Sequence, residues 1–131
     1  MSSVKGINHI TVLVLDKEKA IYFYCNILGL EKLEIDKSIW ARAGKQFVHI
    51  SKSDKALPKS FIHFAIEVSN FNEYIRNLIA QKIDVFDLDN NLNKIALNSE
   101  LDKEFRQFFV EDPSGNYVEI IDVNNSFFHP K

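Results

Sequence analysis

The chain has 131 residues, 46% of them hydrophobic, which is enough for one compact domain. No apolar run approaches the roughly 20 residues that a membrane span needs, and a net charge of −2 gives no reason to expect binding to nucleic acid or to an anionic membrane. A single cysteine, Cys25, excludes an internal disulfide and, with an N-terminus lacking the apolar core of a signal peptide, predicts a cytoplasmic protein.

The chain opens with a predicted strand and a predicted helix. Residues 9–14 are β-branched and aliphatic, as strands are, and alternation by two places three side chains on one face: His9, Thr11 and Leu13. Asp16 is predicted to cap a helix that runs to about residue 28 and stops at Gly29. Cys25 falls inside this helical pattern, so we interpret it as a packing residue.

Three short strands are predicted next, over residues 30–35, 38–43 and 45–51. In the last of them, one face carries Phe47, His49 and Ser51. Trp40 and Arg42 are assigned to opposite faces of the middle strand. The segment 52–60 has no apolar period and predicts a linker that can extend about 30 Å.

The second half repeats this order. It predicts a strand over 61–68 with one face carrying Phe61, His63, Ala65 and Glu67, and then a helix capped by Ser69 or Asn70 that runs to about residue 81. Strands are predicted over 83–86, 95–97, 105–110 and 117–123, with Asp112 serving the turn before the last one. The tail, 124–131, shows no pattern.

Repeat-related positions carry four residues of types that bind metals. The opening histidines, His9 and His63, are 54 positions apart, and the closing residues, His49 and Glu119, are 70 apart. The 16-residue difference is an insertion in the second copy, assigned to residues 87–102. We therefore predict a single α+β domain over 1–131, built from two βαβββ modules (about 7–51 and 61–123) whose sheets curl around a shared cavity.

Several motifs resemble the vicinal-oxygen-chelate superfamily, which includes glyoxalase I, bleomycin-resistance proteins, fosfomycin-resistance thiol transferases and extradiol dioxygenases. The resemblance covers residues 7–122, and its motifs are Asn8-His9-Ile10-Thr11, Phe23-Tyr24, Leu28-Gly29-Leu30 and the closing hairpin at 108–120. It implies one divalent ion (Zn, Ni, Fe or Mn) held by His9, His63 and Glu119, with open positions for a substrate that chelates through two adjacent oxygens.

The role of His49 stays open. Metal-dependent glyoxalase I carries Glu or Gln at this position, so His49 is a fourth metal ligand, a general base beside the metal, or a filled core position. We name His49 and Glu119 as the candidate catalytic residues. The predicted substrate pocket comprises Thr11, Trp40, Arg42, Phe47 and Glu67.

Three functions follow from this resemblance. The first is a glyoxalase-type metal enzyme with lyase or isomerase chemistry. The second is a metal-free binding module of the bleomycin-resistance kind, which generally lacks the His-His-Glu set found here, and the third is a small Fe(II) dioxygenase. Thr11 matches a substrate-contacting Thr of the fosfomycin transferases, but the asparagine-rich stretch 87–98, with Lys94 as its only basic residue, does not suit a phosphonate.

The resemblance also predicts the assembly and the binding partner. It implies a homodimer in which His9 of one chain shares a metal with His63 and Glu119 of the other, and the segment 52–60 is long enough to let the modules pair in this way. The expected partner is a small-molecule substrate, and neither nucleic acid nor a membrane is expected.

Overall fold

The protein is represented by a computed structural model, which describes residues 3–55, 63–97 and 107–124. Most of the predicted linker and nearly all of the predicted tail lie outside these residues. In chain order the elements are β1 His9–Val14, α1 Lys17–Ile21, a π-helical segment Tyr22–Ile27, β2 Glu31–Ile35, β3 Ser38–Ala43, β4 Gln46–Lys52, β5 His63–Val68, α2 Phe71–Ala80, β6 Phe86–Leu88, β7 Lys94–Ala96, β8 Gln107–Glu111 and β9 Tyr117–Asp122.

The chain divides into two compact units. Unit 1 comprises Met1–Lys59 and Asp112–Gly115, and unit 2 comprises Ser60–Glu111 and Asn116–Lys131. Unit 1 contains a sheet of order β1-β4-β3-β2, and unit 2 contains a sheet of order β5-β9-β8-β6-β7. This mixed α+β architecture confirms the predicted fold class. The expectation of two four-stranded sheets is wrong for unit 2, because the inserted residues add β7 at the edge beside β6.

Each opening strand lies parallel to the closing strand of its own sheet. In unit 1, His9 is opposite Phe47 and Thr11 is opposite His49. The other face of these two strands forms the core, where Val12, Val14, Val48 and Ile50 are buried. In unit 2 the corresponding core positions on β9 are Val118 and Ile120. Alternation by two therefore gave the correct faces for all four candidate ligands.

The first helix follows the predicted span but not the predicted type. Asp16 caps it, because its carboxylate accepts a hydrogen bond from the Lys19 backbone N–H. From Tyr22 onward the hydrogen bonds span five residues, as in the bond from Leu28 N–H to the Phe23 carbonyl, so the second half is π-helical. Gly29 ends the helix at a φ of +90°, which glycine adopts without steric cost.

The second helix, α2, packs through Phe71, Ile75 and Leu78, and the Phe71 ring lies 5.5 Å from the Phe108 ring. Asn70 precedes it in a left-handed conformation and makes no side-chain cap, so the predicted capping bond is wrong. The strand predicted to start at Ile83 starts at Phe86 instead, because the Ile83 N–H bonds back to the Leu78 carbonyl and completes the helix end. Neither described helix is long and apolar enough to cross a membrane.

Candidate metal centre

In unit 2, strand register brings His63 and Glu119 into contact. His63 on β5 is opposite Tyr117 on β9, and Glu119 lies two residues further along on the same face. The two side chains reach across the strand pair, so that His63 Nε2 lies 2.9 Å from Glu119 Oε1. Both are largely withdrawn from solvent, with side-chain exposures of 23% and 14%. The sequence predicted both residues, and the structure joins them.

The two side chains are also of kinds that bind metals. Their separation of 2.9 Å is that of a hydrogen bond, and two donors of one ion at metal–ligand distances of about 2.0 to 2.2 Å stand slightly further apart, at roughly 3 to 3.5 Å. Imidazole with carboxylate is a donor set that suits Zn, Ni, Mn and Fe(II). Within residues 3–55, 63–97 and 107–124, however, no group of three or more His, Cys, Asp or Glu side chains is placed to hold a metal ion. The pair supplies two of the donors that a site requires.

Aromatic rings surround this pair on the same sheet face. Phe109 on β8 is directly opposite Glu119, is buried, and meets the His63 ring edge-on at 5.3 Å. Phe109 was not predicted as a site residue, although matching the third strands of the two modules would have aligned it with Trp40. Its bulk restricts the movement of the His63 imidazole.

Lys94 lies further along this face and is already engaged. Its Nζ is 3.0 Å from Glu111 and 4.5 Å from the centre of the Phe86 ring. Burial acts to lower the pKa of Lys94, but the hydrogen bond and charge of Glu111 outweigh it, so the pKa is raised. The ammonium is therefore held by a carboxylate and an aromatic face.

In unit 1, His9 is exposed and its ring is oriented by its neighbour. His9 Nδ1 lies 2.9 Å from the side-chain oxygen of Asn8, and an amide oxygen only accepts. Nδ1 therefore carries a hydrogen, so that Nε2 is the nitrogen that can bind a metal in the neutral ring. The sequence singled out His9, but the role of Asn8 beside it was missed.

Trp40 contacts both histidines of unit 1. It is opposite His49 in the strand pairing, and the two rings stack at 4.3 Å with 17° between their planes. The His9 ring meets the indole edge-on at 4.9 Å, and the Phe47 ring lies 6.2 Å away. Among the predicted pocket residues, Trp40 and Phe47 thus form one aromatic cluster with the two histidines.

The remaining predicted pocket residues lie on the same two faces. Thr11 is exposed opposite His49, and Glu67 is exposed on the face that carries His63. Arg42 forms an ion pair with Glu31. The assignment of Trp40 and Arg42 to opposite faces is wrong, because residues two apart in a strand share a face, and both pair with residues of one face of β4.

A buried polar contact in unit 1 was not foreseen. The Tyr24 hydroxyl donates to Asp112 Oδ2 at 2.7 Å, and Asp112 Oδ1 accepts from the Ser114 backbone N–H. Burial, reinforced by the Asp112 charge, raises the pKa of Tyr24. No sequence signal links residues that lie 88 positions apart. Asp112 serves its turn, as predicted, and also anchors the first helix.

Two further features of unit 1 lie away from the candidate ligands. Burial raises the pKa of the Cys25 thiol, although Lys32 opposes the shift, which agrees with a packing role for this cysteine. A surface groove of about 320 Å³ runs beside the π-helical segment and includes none of the predicted site residues. Its lining is Glu18, Lys19, Tyr22, Phe23, Ile27 and Pro113.

Comparison with known proteins agrees with the fold described above. Metallothiol transferase FosB from Staphylococcus saprophyticus is 29% identical over 125 residues, which cover 89% of this chain and 76% of that protein. The crystal structure of a glyoxalase family protein from Bacillus anthracis is 25% identical with a TM-score of 0.74, covering 93% of this chain and 98% of the other. The fosfomycin resistance protein FosX from Listeria monocytogenes shares the fold, with a TM-score of 0.67 and 19% identity over 91% of this chain and 93% of its own.

The strongest statement comes from the family comparison. The sequence profile of the Glyoxalase/Bleomycin resistance protein/Dioxygenase superfamily matches residues 6–120, which include all four candidate ligands. The chain therefore belongs to the Glyoxalase/Bleomycin resistance protein/Dioxygenase superfamily.

Proposed function

We propose that this protein is a divalent-metal-dependent enzyme acting on a small substrate that chelates the ion through two adjacent oxygens. The contact between His63 Nε2 and Glu119 Oε1 carries the proposal. A histidine and a carboxylate, both largely withdrawn from water and in direct contact, come from strands at the two ends of one sequence module. Membership of a superfamily that contains glyoxalases supports it.

His63, Glu119 and His9 are the proposed ligands. Because His9 Nδ1 donates to the side-chain oxygen of Asn8, Nε2 is the nitrogen that we assign to the metal. A bound divalent ion would supply Lewis-acid polarisation of a substrate oxygen. Glu119 also has a second carboxylate oxygen, which is available to accept a proton from the substrate.

His49 is proposed to act beside these ligands as a base or as a fourth ligand. Stacking against Trp40 covers one face of the imidazole, whose nitrogens lie at the ring edge. Imidazole serves in proteins both as a general base and as a metal ligand. We assign Thr11, opposite His49 in the strand pairing, to contact with the substrate.

We propose proton-transfer chemistry of the lyase or isomerase type as the reaction class. Thiol transfer is the second candidate, because the relative FosB is a metallothiol transferase. The engagement of Lys94 by Glu111 and Phe86 favours the first candidate, since this cation is not free to bind an anionic substrate group. Assays of the metal-loaded protein with a glutathione hemithioacetal and with fosfomycin plus a thiol separate the two.

A homodimer with shared sites is the proposed assembly. The length of the segment 52–60 supports this assembly, because about 30 Å of extended chain lets modules of two chains pair. His9 of one chain would join His63 and Glu119 of the other, giving two equivalent sites by symmetry.

Metal analysis and chain mixing test these proposals. The purified protein, dialysed against Zn²⁺, Ni²⁺, Mn²⁺ or Fe²⁺, is expected to retain one ion per chain, and H9A and E119A are each expected to lose it. Mixing H9A with E119A should restore one site per hybrid dimer if the ligands come from two chains. A wild-type protein that retains no ion would refute the metal enzyme and favour a metal-free binding protein. Retention of iron with oxygen consumption would favour a dioxygenase.

A further inference from the structure

We infer that Trp40 is a positioning residue, whose indole fixes the orientation of the His9 and His49 imidazoles. This inference rests on the proposed metal-dependent function and deepens it. It starts from strand pairing: Trp40 on β3 is opposite His49 on β4, whose neighbour β1 carries His9. One ring on the third strand therefore lies within reach of side chains from both other strands.

The geometry of the two contacts differs in a way that restricts both imidazoles. His49 stacks at 17° to the indole plane, whereas His9 meets it at 79°. Stacked and edge-on arrangements are the two favoured geometries of aromatic pairs. Rotation of either imidazole out of its rotamer would forfeit its contact, so the indole selects one orientation for each.

The indole is itself held by packing. Its Nε1 is buried and has no hydrogen-bond partner in the described part of the chain, so ring contacts rather than a hydrogen bond fix its position. Phe47 closes a third side, edge-on at 87°.

The second unit has the same device. Phe109 is opposite Glu119, as Trp40 is opposite His49, and its ring meets His63 edge-on at 73°, as Trp40 meets His9. In both units an aromatic residue on the third strand orients the opening histidine. In unit 1 this aromatic residue, Trp40, also stacks on the closing histidine, His49, so that one indole orients both imidazoles.

The test compares W40L and W40F with the wild type, in metal-free protein and during titration with Ni²⁺. In the metal-free protein, three-bond couplings across χ1 of His9 and His49 are expected to show one rotamer in the wild type and W40F, and rotamer averaging in W40L. Ni²⁺ affinity, measured by calorimetry, is expected to fall about tenfold in W40L, as it does when groups that orient ligands are removed, and to recover in W40F.

L33A is the matched control, because Leu33 is opposite Trp40 on β2 but is not one of the rings that contact the indole, namely His9, His49 and Phe47. It is expected to lower the melting temperature while leaving the couplings and the Ni²⁺ affinity unchanged. Single rotamers in W40L, or the same affinity loss in L33A as in W40L, would overturn the inference. A wild type that binds no Ni²⁺ would refute the metal-dependent function alone, since the couplings are read without metal.

Discussion

The two sheets place their candidate ligands by one register but hold them by different contacts. In each, the closing residue lies two positions beyond the residue opposite the opening histidine, and an aromatic residue on the third strand is opposite the closing one. In unit 2 the closing residue is Glu119, and it reaches His63 directly. In unit 1 it is His49, and Trp40 contacts both histidines.

This difference shows how two sheets with the same strand register come to hold their opening histidines by different contacts. A carboxylate is an acceptor that an imidazole can bind edge-on, so the pair in unit 2 closes on itself. The two imidazoles of unit 1 meet one indole instead, His49 face to face and His9 edge-on. The closing residues thus differ in their partners, because Glu119 contacts the opening histidine of its sheet and His49 contacts the aromatic residue opposite it.

Measuring the metal affinity of variants is the most direct test of the difference between the two units. H63A and E119A are each expected to lower Ni²⁺ affinity more than about 100-fold, which exceeds the range for loss of an orienting partner. H49A is expected to lower it less, because His49 is proposed as a base or a fourth ligand beside the other three. Calorimetry measures all three, with E67A, on the same face as His63, as the control. An equal loss in H49A would make His49 a full ligand and the two units equivalent.

Stability separates the two aromatic residues. F109A is expected to lower the free energy of unfolding by about 3 to 5 kcal/mol, the range for a buried Phe, since its ring is 6% exposed. W40A is expected to cost less, because Trp40 is only half-buried and part of its ring is already in solvent. Urea unfolding followed by circular dichroism compares them. A larger loss for W40A would mean that Trp40 serves mainly as core.

Two tyrosines of the π-helical segment, Tyr24 and Tyr22, are expected to differ in their contribution to stability. Y24F is expected to cost about 2 kcal/mol, because it leaves the buried Asp112 carboxylate without the donor that now lies 2.7 Å away. Y22F is the control: Tyr22 is in the same π-helical segment but 58% exposed, so no measurable change is expected. Equal unfolding free energies for the two variants would remove the contact with Asp112 from the account of unit 1.

The smallest expected effect appears at alkaline pH. Burial raises the pKa of Tyr74 in α2 to about 12, while the unfolded chain titrates near 10. The folded protein therefore keeps a proton that the unfolded chain loses, and stability present below pH 10 falls as the pH rises toward 12. The loss should be about 1 to 2 kcal/mol, below the full value for two pKa units because the ring is partly exposed.

Urea unfolding between pH 9 and pH 12 measures this fall in the wild type and in Y74F. The variant lacks the ionisable hydroxyl, so its stability should decline less over the same interval, with Y22F again as the control. Parallel curves for Y74F and the wild type would show that Tyr74 does not contribute to the alkaline loss.

The fold class and the faces of the strands could be predicted because strand alternation and internal repetition are read directly from the order of the residues. Alternation by two along each strand was enough to assign the four candidate ligands to the correct face: His9, His49, His63 and Glu119. Contacts between strands could not be predicted in this way, because they depend on which residues of two strands are opposite each other. The stacking of Trp40 on His49 is one such contact. The Tyr24 hydrogen bond to Asp112 depends on tertiary packing and left no trace in either segment.

The position of β7 has a consequence for how this protein can diverge. In the order β5-β9-β8-β6-β7, the inserted strand is the outermost one, and the strands that carry His63 and Glu119 lie at the opposite end. Lys94, Ile95 and Ala96 are all exposed, so they can change with little cost to the core. Lengthening or replacing this hairpin would remodel one border of the sheet without disturbing the contact between His63 and Glu119.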